Sequence, residues 1–351
     1  MVGLSLLTLV PGQIGGTETY VRGLTRGLAE HGELPYRVFL PRVAAGAGNG
    51  LPEEIATEYR AARTLPQRFA AMGLAAARPG PLRRRLAAAD LVHYPLTIPL
   101  PEDRRPYVVT LQDVLHLDRP ELVPRWERAL RRVAYDRPVR RAALVIVPSR
   151  FSAERIAHHL AVPEARFRVI PHGIDHERLT PGNAPREPFL LYPARPWPHK
   201  NHERLLEAFA LLRRERPELR LVLTGGGHEG RAYPEGVAAR GLVPADELRS
   251  LLRRASALVF PSLYEGFAFP PLEAMACGCP VAAAASGSVG EIAGHGARLF
   301  DATDPGAIAE AVDEVLRDPE PWVERGLRRA AAFSWAAAAR GHEAAYRELL
   351  P

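Results

Sequence analysis

Short apolar runs and amphipathic stretches alternate along this chain, the pattern expected of buried parallel strands joined by covering helices. Val2–Leu9 is a continuous apolar run and predicts the first strand. A glycine-containing turn follows from Pro11 to Gly16, with a helix expected from about Thr17 to His31. Further strands are expected at Tyr36–Leu40, Leu91–Tyr94, Tyr107–Leu111, Ala143–Val147 and Arg168–Ile170. Residues 43–57 are rich in Gly, Ala and Pro and read as a loop. Between the strands lie an Arg-rich helical stretch over 58–89, broken by Pro66 and Pro79-Gly80-Pro81, a basic amphipathic helix over 126–141, and a helix at Ser152–Leu160.

The alternation stops at residues 171–188, which hold four prolines and no period, as expected of a connection between domains. It restarts at Phe189–Tyr192, with strands at Arg220–Leu223, Ala257–Phe260 and Pro280–Ala283. Helices are expected at His202–Glu215, Ala245–Arg254, Pro305–Leu316 and through the tail from Trp335. At roughly 150 residues per domain, 351 residues suit two domains. The expected organisation is an N-terminal Rossmann-like domain over 1–172, a linker over 173–188 and a second such domain over 189–334. Two successive βα arrays imply an α/β protein of two doubly wound domains facing a cleft, with ligands at the carboxyl ends of the strands.

Composition narrows the class. No apolar run approaches the ~18 residues of a membrane span, and the apolar start lacks a basic flank, so it reads as a strand rather than a signal peptide. The two cysteines, Cys277 and Cys279, stand too close for a useful disulfide and are too few for a zinc site. A reducing cytoplasmic setting fits them. The net charge of +6 divides unevenly: residues 1–172 carry +9 and residues 173–351 carry −3. A basic half suggests an anionic partner, such as phosphate or a lipid headgroup, or else an Arg-rich solvated face. The Arg residues on or beside the 126–141 helix make a peripheral contact with an anionic membrane one reading of that face. Aromatic interleaving and zinc-binding spacings are lacking, so nucleic acid is not an expected partner. Of the 46 basic residues only Lys200 is lysine, which marks it as a position suited to a compact point charge.

Three strand-end loops carry the chemistry. In the first, Gly12, Gly15 and Gly16 precede a helix, where a phosphate could approach the backbone and the helix N-terminus; a tight structural turn is the alternative. In the second, Arg195 and Lys200 stand five apart on a proline-stiffened loop and could converge on one diphosphate. The third, Pro261-Ser262-Leu263-Tyr264-Glu265-Gly266-Phe267-Ala268-Phe269-Pro270-Pro271-Leu272-Glu273, sets one carboxylate in a loop and another in the first turn of a helix. The Gly266–Phe269 backbone between them could offer N–H groups to hydroxyls or phosphate.

The string PSLYEGFAFPPLEAMACGCPV resembles the donor-site motif of the retaining nucleotide-sugar glycosyltransferases of family 4, also called group 1, with the GT-B fold. GGTETYV, VPSRFSAERI, VIPHGID, PARPWPHKNHERLLEAF and FSWAAAARGHEAAYREL match the same family in order. The resemblance implies that Glu265 faces the donor sugar, Glu273 binds the nucleotide ribose, and Arg195 and Lys200 hold the diphosphate. Gly15 and Gly16 would approach the phosphates, Gly225, Gly226 and Gly227 would lie near the base, and the backbone at Gly266, Phe267 and Ala268 would meet sugar hydroxyls. The final helix, about 335–351, would cross back to the N-terminal domain.

Two departures accompany the match. Gln112-Asp113 stands where the family often has His-Asp; Gln can donate a hydrogen bond to a sugar hydroxyl but cannot carry a proton. His116 is either its substitute or a packing residue. Ala268 replaces a usual glycine and is expected at negative φ. The resemblance implies retention at the anomeric carbon, with the nucleotide-sugar as substrate and no cofactor. The chain lacks an Asp-x-Asp pair, so no metal is expected. The acceptor would be a glycan, a lipid-linked sugar or a small molecule. The competing readings are an epimerase or phosphorylase on the same fold and a noncatalytic nucleotide-sugar-binding subunit.

Overall fold

The computed structural model describes residues 1–13, 15–61 and 64–350. Two compact units divide them: Met1–Gly173 with Ser334–Pro351, and Ile174–Phe333. The first is built on a seven-stranded sheet: β1 (Val2–Ser5), β2 (Tyr36–Pro41), β3 (Glu53–Ala56), β4 (Leu91–Tyr94), β5 (Tyr107–Thr110), β6 (Leu144–Val147) and β7 (Phe167–Val169). Its order is β3-β2-β1-β4-β5-β6-β7, with every pairing parallel. The second has β8 (Glu187–Pro193), β9 (Arg220–Thr224), β10 (Val237–Ala239), β11 (Ala255–Phe260), β12 (Val281–Ala284) and β13 (Arg298–Phe300). Their order, β10-β9-β8-β11-β12-β13, is again wholly parallel. Both sheets reverse direction beside their first strand, the arrangement of a doubly wound nucleotide-binding fold.

Burial follows from the pattern. β1, β4, β5 and β6 are buried at every position because helices cover both faces of a parallel sheet. Phe39, Tyr94, Val109, Val147 and Ile156 belong to a core of the first unit. Phe189, Leu191, Phe209, Leu258, Met275 and Val312 belong to that of the second.

Several expectations need correction. The apolar run Val2–Leu9 is a strand only to Ser5; beyond it Leu9 N–H turns back to Leu6 O. The expected loop over 43–57 contains β3, an edge strand with two glutamates and therefore no apolar run. β10 and β13 are three-residue strands too short to announce themselves. The basic stretch expected as one helix is helical throughout but takes wider π turns at Arg132–Asp136. Residues 174–188 do not form a free connection. Ile174 lies in the second core, Arg186 Nη1 donates to Ala255 O at 3.0 Å, and Glu187 already begins β8.

The C-terminal helix Trp335–Arg347 packs on the helix Gly16–His31 of the first unit. Glycines inside a helix cost roughly 1 kcal/mol each relative to alanine. The reason for two of them is steric: a Cβ at Gly23 would lie 2.1 Å from the Trp335 ring, and one at Gly27 2.8 Å from Trp335 O.

Candidate active site

In the second unit, β8 and β11 are neighbours where the strand order reverses, and the loops leaving their carboxyl ends are tied together. Leu263 N–H donates to His199 O at 2.8 Å. Asn201, at φ +59, anchors the first loop through Nδ2, which donates to Pro261 O at 3.1 Å and Ala302 O at 2.7 Å. This brings two residues 65 apart in sequence into contact: Lys200 Nζ forms an ion pair with Glu265 Oε1. Both side chains are about 15% exposed, sheltered enough for the charges to matter and open enough to be reached. Ser262 Oγ donates to the same Glu265 oxygen at 2.5 Å. Behind Glu265, Gly287 has φ +57, and a Cβ there would sit 2.8 Å from Glu265 N. Ser288 N–H donates to Glu265 O at 3.1 Å, so backbone and side chain of Glu265 are both held.

The other residues singled out in this unit surround that pair unequally. The Arg195 side chain forms no hydrogen bond or ion pair among the described residues; its guanidinium lies 5.6 Å from the Trp197 ring centre. Gly225 has φ +116, and a Cβ there would lie 3.0 Å from the Ala194 carbonyl carbon, so it permits close approach to the Arg195 loop. Gly226 faces open space. Gly266 and Phe267 lie in the turn that leads into the helix Phe269–Ala276, with Phe267 buried against Phe269 and Phe333. Glu273 lies in the second turn of that helix rather than the first. Its carboxyl has no hydrogen-bond or ion-pair partner among the described residues, and burial pushes it up to about 7.

The expectation of negative φ at Ala268 is wrong: the residue is left-handed, at φ +67, ψ +68, directly before the helix. An L residue there costs ~1–2 kcal/mol. Glycine would relieve that cost but lose a buried methyl and add unfolded-state entropy. Ala268→Gly is expected to leave stability within about 1 kcal/mol, while Ala268→Val, β-branched, is expected to lose more than ~2 kcal/mol. Chemical denaturation of the two variants checks this.

In the first unit the candidate residues also lie beyond strand carboxyl ends. Gly15, at φ +50, precedes the helix Gly16–His31, and its carbonyl accepts from Glu18 N–H at 2.9 Å. Gly12 N–H donates to Glu18 Oε2 at 2.6 Å, so an internal carboxylate takes one of the loop's donors. Ile14 of this loop lies outside the described residues. After β5, Gln112 Oε1 accepts from His172 Nε2 at 2.7 Å, while Gln112 Nε2 is buried with no partner among the described residues. Sequence reasoning missed His172 as the imidazole beside Gln112, although it is the histidine of VIPHGID. Burial holds it well below the usual imidazole range, hence neutral, and its ring lies 4.3 Å from that of Tyr20. Asp113 Oδ1 accepts from Leu115 N–H at 3.0 Å. His116 is a packing residue: it is buried and bonded through Nε2 to Asp136 at 2.9 Å.

Two family models account for most of the chain: Glycosyltransferase Family 4 over residues 14–178 and Glycosyl transferases group 1 over residues 175–331. The chain belongs to the group 1 glycosyltransferases of GT-B fold. It is 29% identical to the O-antigen chain mannosyltransferase B of Escherichia coli, over 70% of this chain and 71% of that one. It is 34% identical to the D-inositol 3-phosphate glycosyltransferase of Frankia alni, over 53% of this chain and 54% of the relative, and so spans about half of that protein's length. Among solved structures, the sucrose-phosphate synthase of Thermosynechococcus elongatus superposes with a TM-score of 0.79 at 22% identity, covering 99% of this chain and 98% of that one.

Proposed function

We propose that this protein transfers a sugar from a nucleoside-diphosphate sugar to a hydroxyl acceptor, with retention at the anomeric carbon and without a metal ion. The observation that carries this reading is the Lys200–Glu265–Ser262 cluster at the strand reversal of the second sheet. As the bond between the anomeric carbon and phosphate breaks, negative charge grows on the leaving diphosphate and positive charge on the sugar. Lys200 and Arg195 would stabilise the first, and the Glu265 carboxylate the second. Their coupling through one ion pair would hold both charges in a fixed geometry before the reaction. Glu273, whose carboxyl has no partner among the described residues, would take the ribose hydroxyls, and the Gln112 amide would donate to a sugar hydroxyl. Relatives named as mannosyl- and inositol-phosphate glycosyltransferases support a glycan or an inositol phosphate as the acceptor class.

A thermal-shift series with nucleoside diphosphates, followed by acceptor trials with the matching sugar donor, tests the reading. A ligand at 100 times its Kd is expected to stabilise the protein by ~2.7 kcal/mol. Transfer is expected to require an acceptor and to survive EDTA. Donor turnover without any acceptor, or a strict need for added Mg²⁺ or Mn²⁺ in the chemical step, would refute it.

A further inference from the structure

The basic character of the first half has a specific location. A cavity of about 640 Å³ opens on the first unit, and Arg83, Arg104, Arg105, Arg137, Arg141 and Arg166 line it. The acidic residues of its wall are Glu102 and Asp103, so the lining carries a net charge of +4. The arginines come from separate segments that the parallel sheet gathers at one edge. Arg104 and Arg105 precede β5, Arg137 and Arg141 lie in the helical turns before β6, and Arg166 directly precedes β7. The cavity is therefore at the amino ends of these strands. Gln112 and Asp113 lie beyond the carboxyl end of β5, on the order of 10 Å away along a four-residue strand. The arginine cavity and the candidate active-site loops occupy opposite edges of one sheet.

The acids do not neutralise this wall. Asp103 is engaged by Arg105 through Nε at 3.1 Å and through Nη2 at 2.6 Å. Glu102 pairs with Arg141 at 3.0 Å and accepts from the Tyr107 hydroxyl at 3.1 Å. The guanidinium groups of Arg104 and Arg137 form no hydrogen bond or ion pair among the described residues. Arg83 Nε is shut away from solvent without an acceptor among the described residues, a costly position for a cationic donor. Several guanidinium forks converging on one concave surface match the oxygens of phosphate groups better than any neutral ligand. A smaller notch of about 130 Å³ lined by Ile98, Pro99, Val133 and Pro138 adjoins the cavity, sharing Glu102 and Arg137 with it, and Val133 is largely exposed.

We propose that this cavity is a binding site for a phosphate-bearing anion, separate from the site of sugar transfer. A lining of net charge +4 can take one diphosphate, or more than one singly charged phosphodiester headgroup side by side. A soluble polyphosphate and the phosphate headgroup of an anionic lipid share this chemistry, and the adjoining apolar notch would accept the glyceride end of the latter.

The test is calorimetric titration of inorganic pyrophosphate into the full chain carrying Lys200→Ala and Arg195→Ser, which removes both cations suggested to hold the donor diphosphate. The outcome is thus independent of the transferase reading. Pyrophosphate is expected to bind that protein, and the added pair Arg104→Ser and Arg137→Ser is expected to weaken binding by about tenfold or more. Both side chains are exposed and their guanidinium groups have no hydrogen-bond or ion-pair partner among the described residues, so the variant is expected to melt as its parent does. The pair Arg125→Ser and Arg132→Ser, outside the cavity, is expected to leave binding unchanged. Sedimentation with phosphatidylcholine vesicles, with and without phosphatidylglycerol, separates the two sources. Binding to anionic vesicles that pyrophosphate displaces and the cavity variant loses assigns a lipid headgroup. Pyrophosphate binding without vesicle binding assigns a soluble phosphate. Absence of pyrophosphate binding, or equal losses in the cavity and control pairs, overturns the proposal.

Discussion

Lys200→Ala is expected to lower kcat by roughly 10²–10³-fold, the scale on which loss of one preorganised donor to a developing anion is felt. Because Lys200 is paired with Glu265, the substitution also leaves a sheltered carboxylate with only the Ser262 hydroxyl, and a stability loss of about 1–3 kcal/mol is expected. The two effects separate in a double variant. Lys200→Ala combined with Glu265→Gln removes the uncompensated charge, so stability is expected to recover, while kcat is expected to stay low. Lys200→Arg keeps the charge but spreads it over a larger planar group beside Phe260, and is expected to rescue only partly. Steady-state kinetics with the donor found by thermal shift, beside a melting curve for each variant, give the answer. Unchanged kcat/KM in Lys200→Ala would remove Lys200 from the chemistry. Recovery of activity in the double variant would reduce its role to balancing Glu265.

The two parallel arrays and their loops were legible because parallel strands are buried on both faces and write themselves as apolar runs. β3, β10 and β13 were not, since edge strands of three or four residues with polar or small side chains have no such signature. The acidic and basic candidates Glu265 and Lys200 could be found separately, but their direct pairing could not. It depends on Asn201 bridging to Pro261 and Ala302, contacts between distant segments. Ala268 shows the opposite failure. Residue type argues for negative φ, yet the turn into the helix Phe269–Ala276 overrides it. The arginine cavity was visible only as a charge imbalance, because its residues span positions 83 to 166 and meet through sheet order alone. The docking of the C-terminal helix was readable from the family resemblance, whereas the polar network that holds it was not.

That network leads to the second large effect, loss of stability in mild acid. His342 Nδ1 bonds Ala338 O at 2.8 Å, and a carbonyl can only accept, so Nδ1 carries the proton. Nε2 must then accept from the Tyr20 hydroxyl at 3.0 Å. Tyr20 accepts in turn from Thr110 Oγ1 at 2.8 Å, Thr110 from His93 Nε2 at 2.9 Å, and His93 Nδ1 from the Tyr346 hydroxyl at 2.8 Å. Every group donates once along this chain, and each imidazole is neutral. Protonating either histidine puts two donors face to face in a buried site. Burial lowers His342 to about 4 and holds His93 and His172 well below the usual range, the His342 charge adding to the effect on both. Their folded values lie below the unfolded value near 6.5, so their contribution is full above about pH 6.5 and is lost as pH falls. By pH 5 His342 alone is expected to cost about 2 kcal/mol. Glu343, on the same helix, adds a lower window. Burial opposes its ionisation, but Leu34 N–H and Glu33 N–H at 2.6 Å, the Tyr36 hydroxyl at 2.8 Å and the Arg347 charge outweigh it and hold the carboxyl below its ordinary value. Its contribution is present above about pH 4.5 and disappears below. Glu343→Ala is expected to cost about 3 kcal/mol or more at neutral pH, because two backbone donors and a hydroxyl lose their acceptor together. Denaturant unfolding from pH 8 to 4 is expected to show stability falling from about pH 6.5, with a shallower slope in His342→Gln. A flat profile down to pH 5 would show that these histidines are not held neutral by the docked helix.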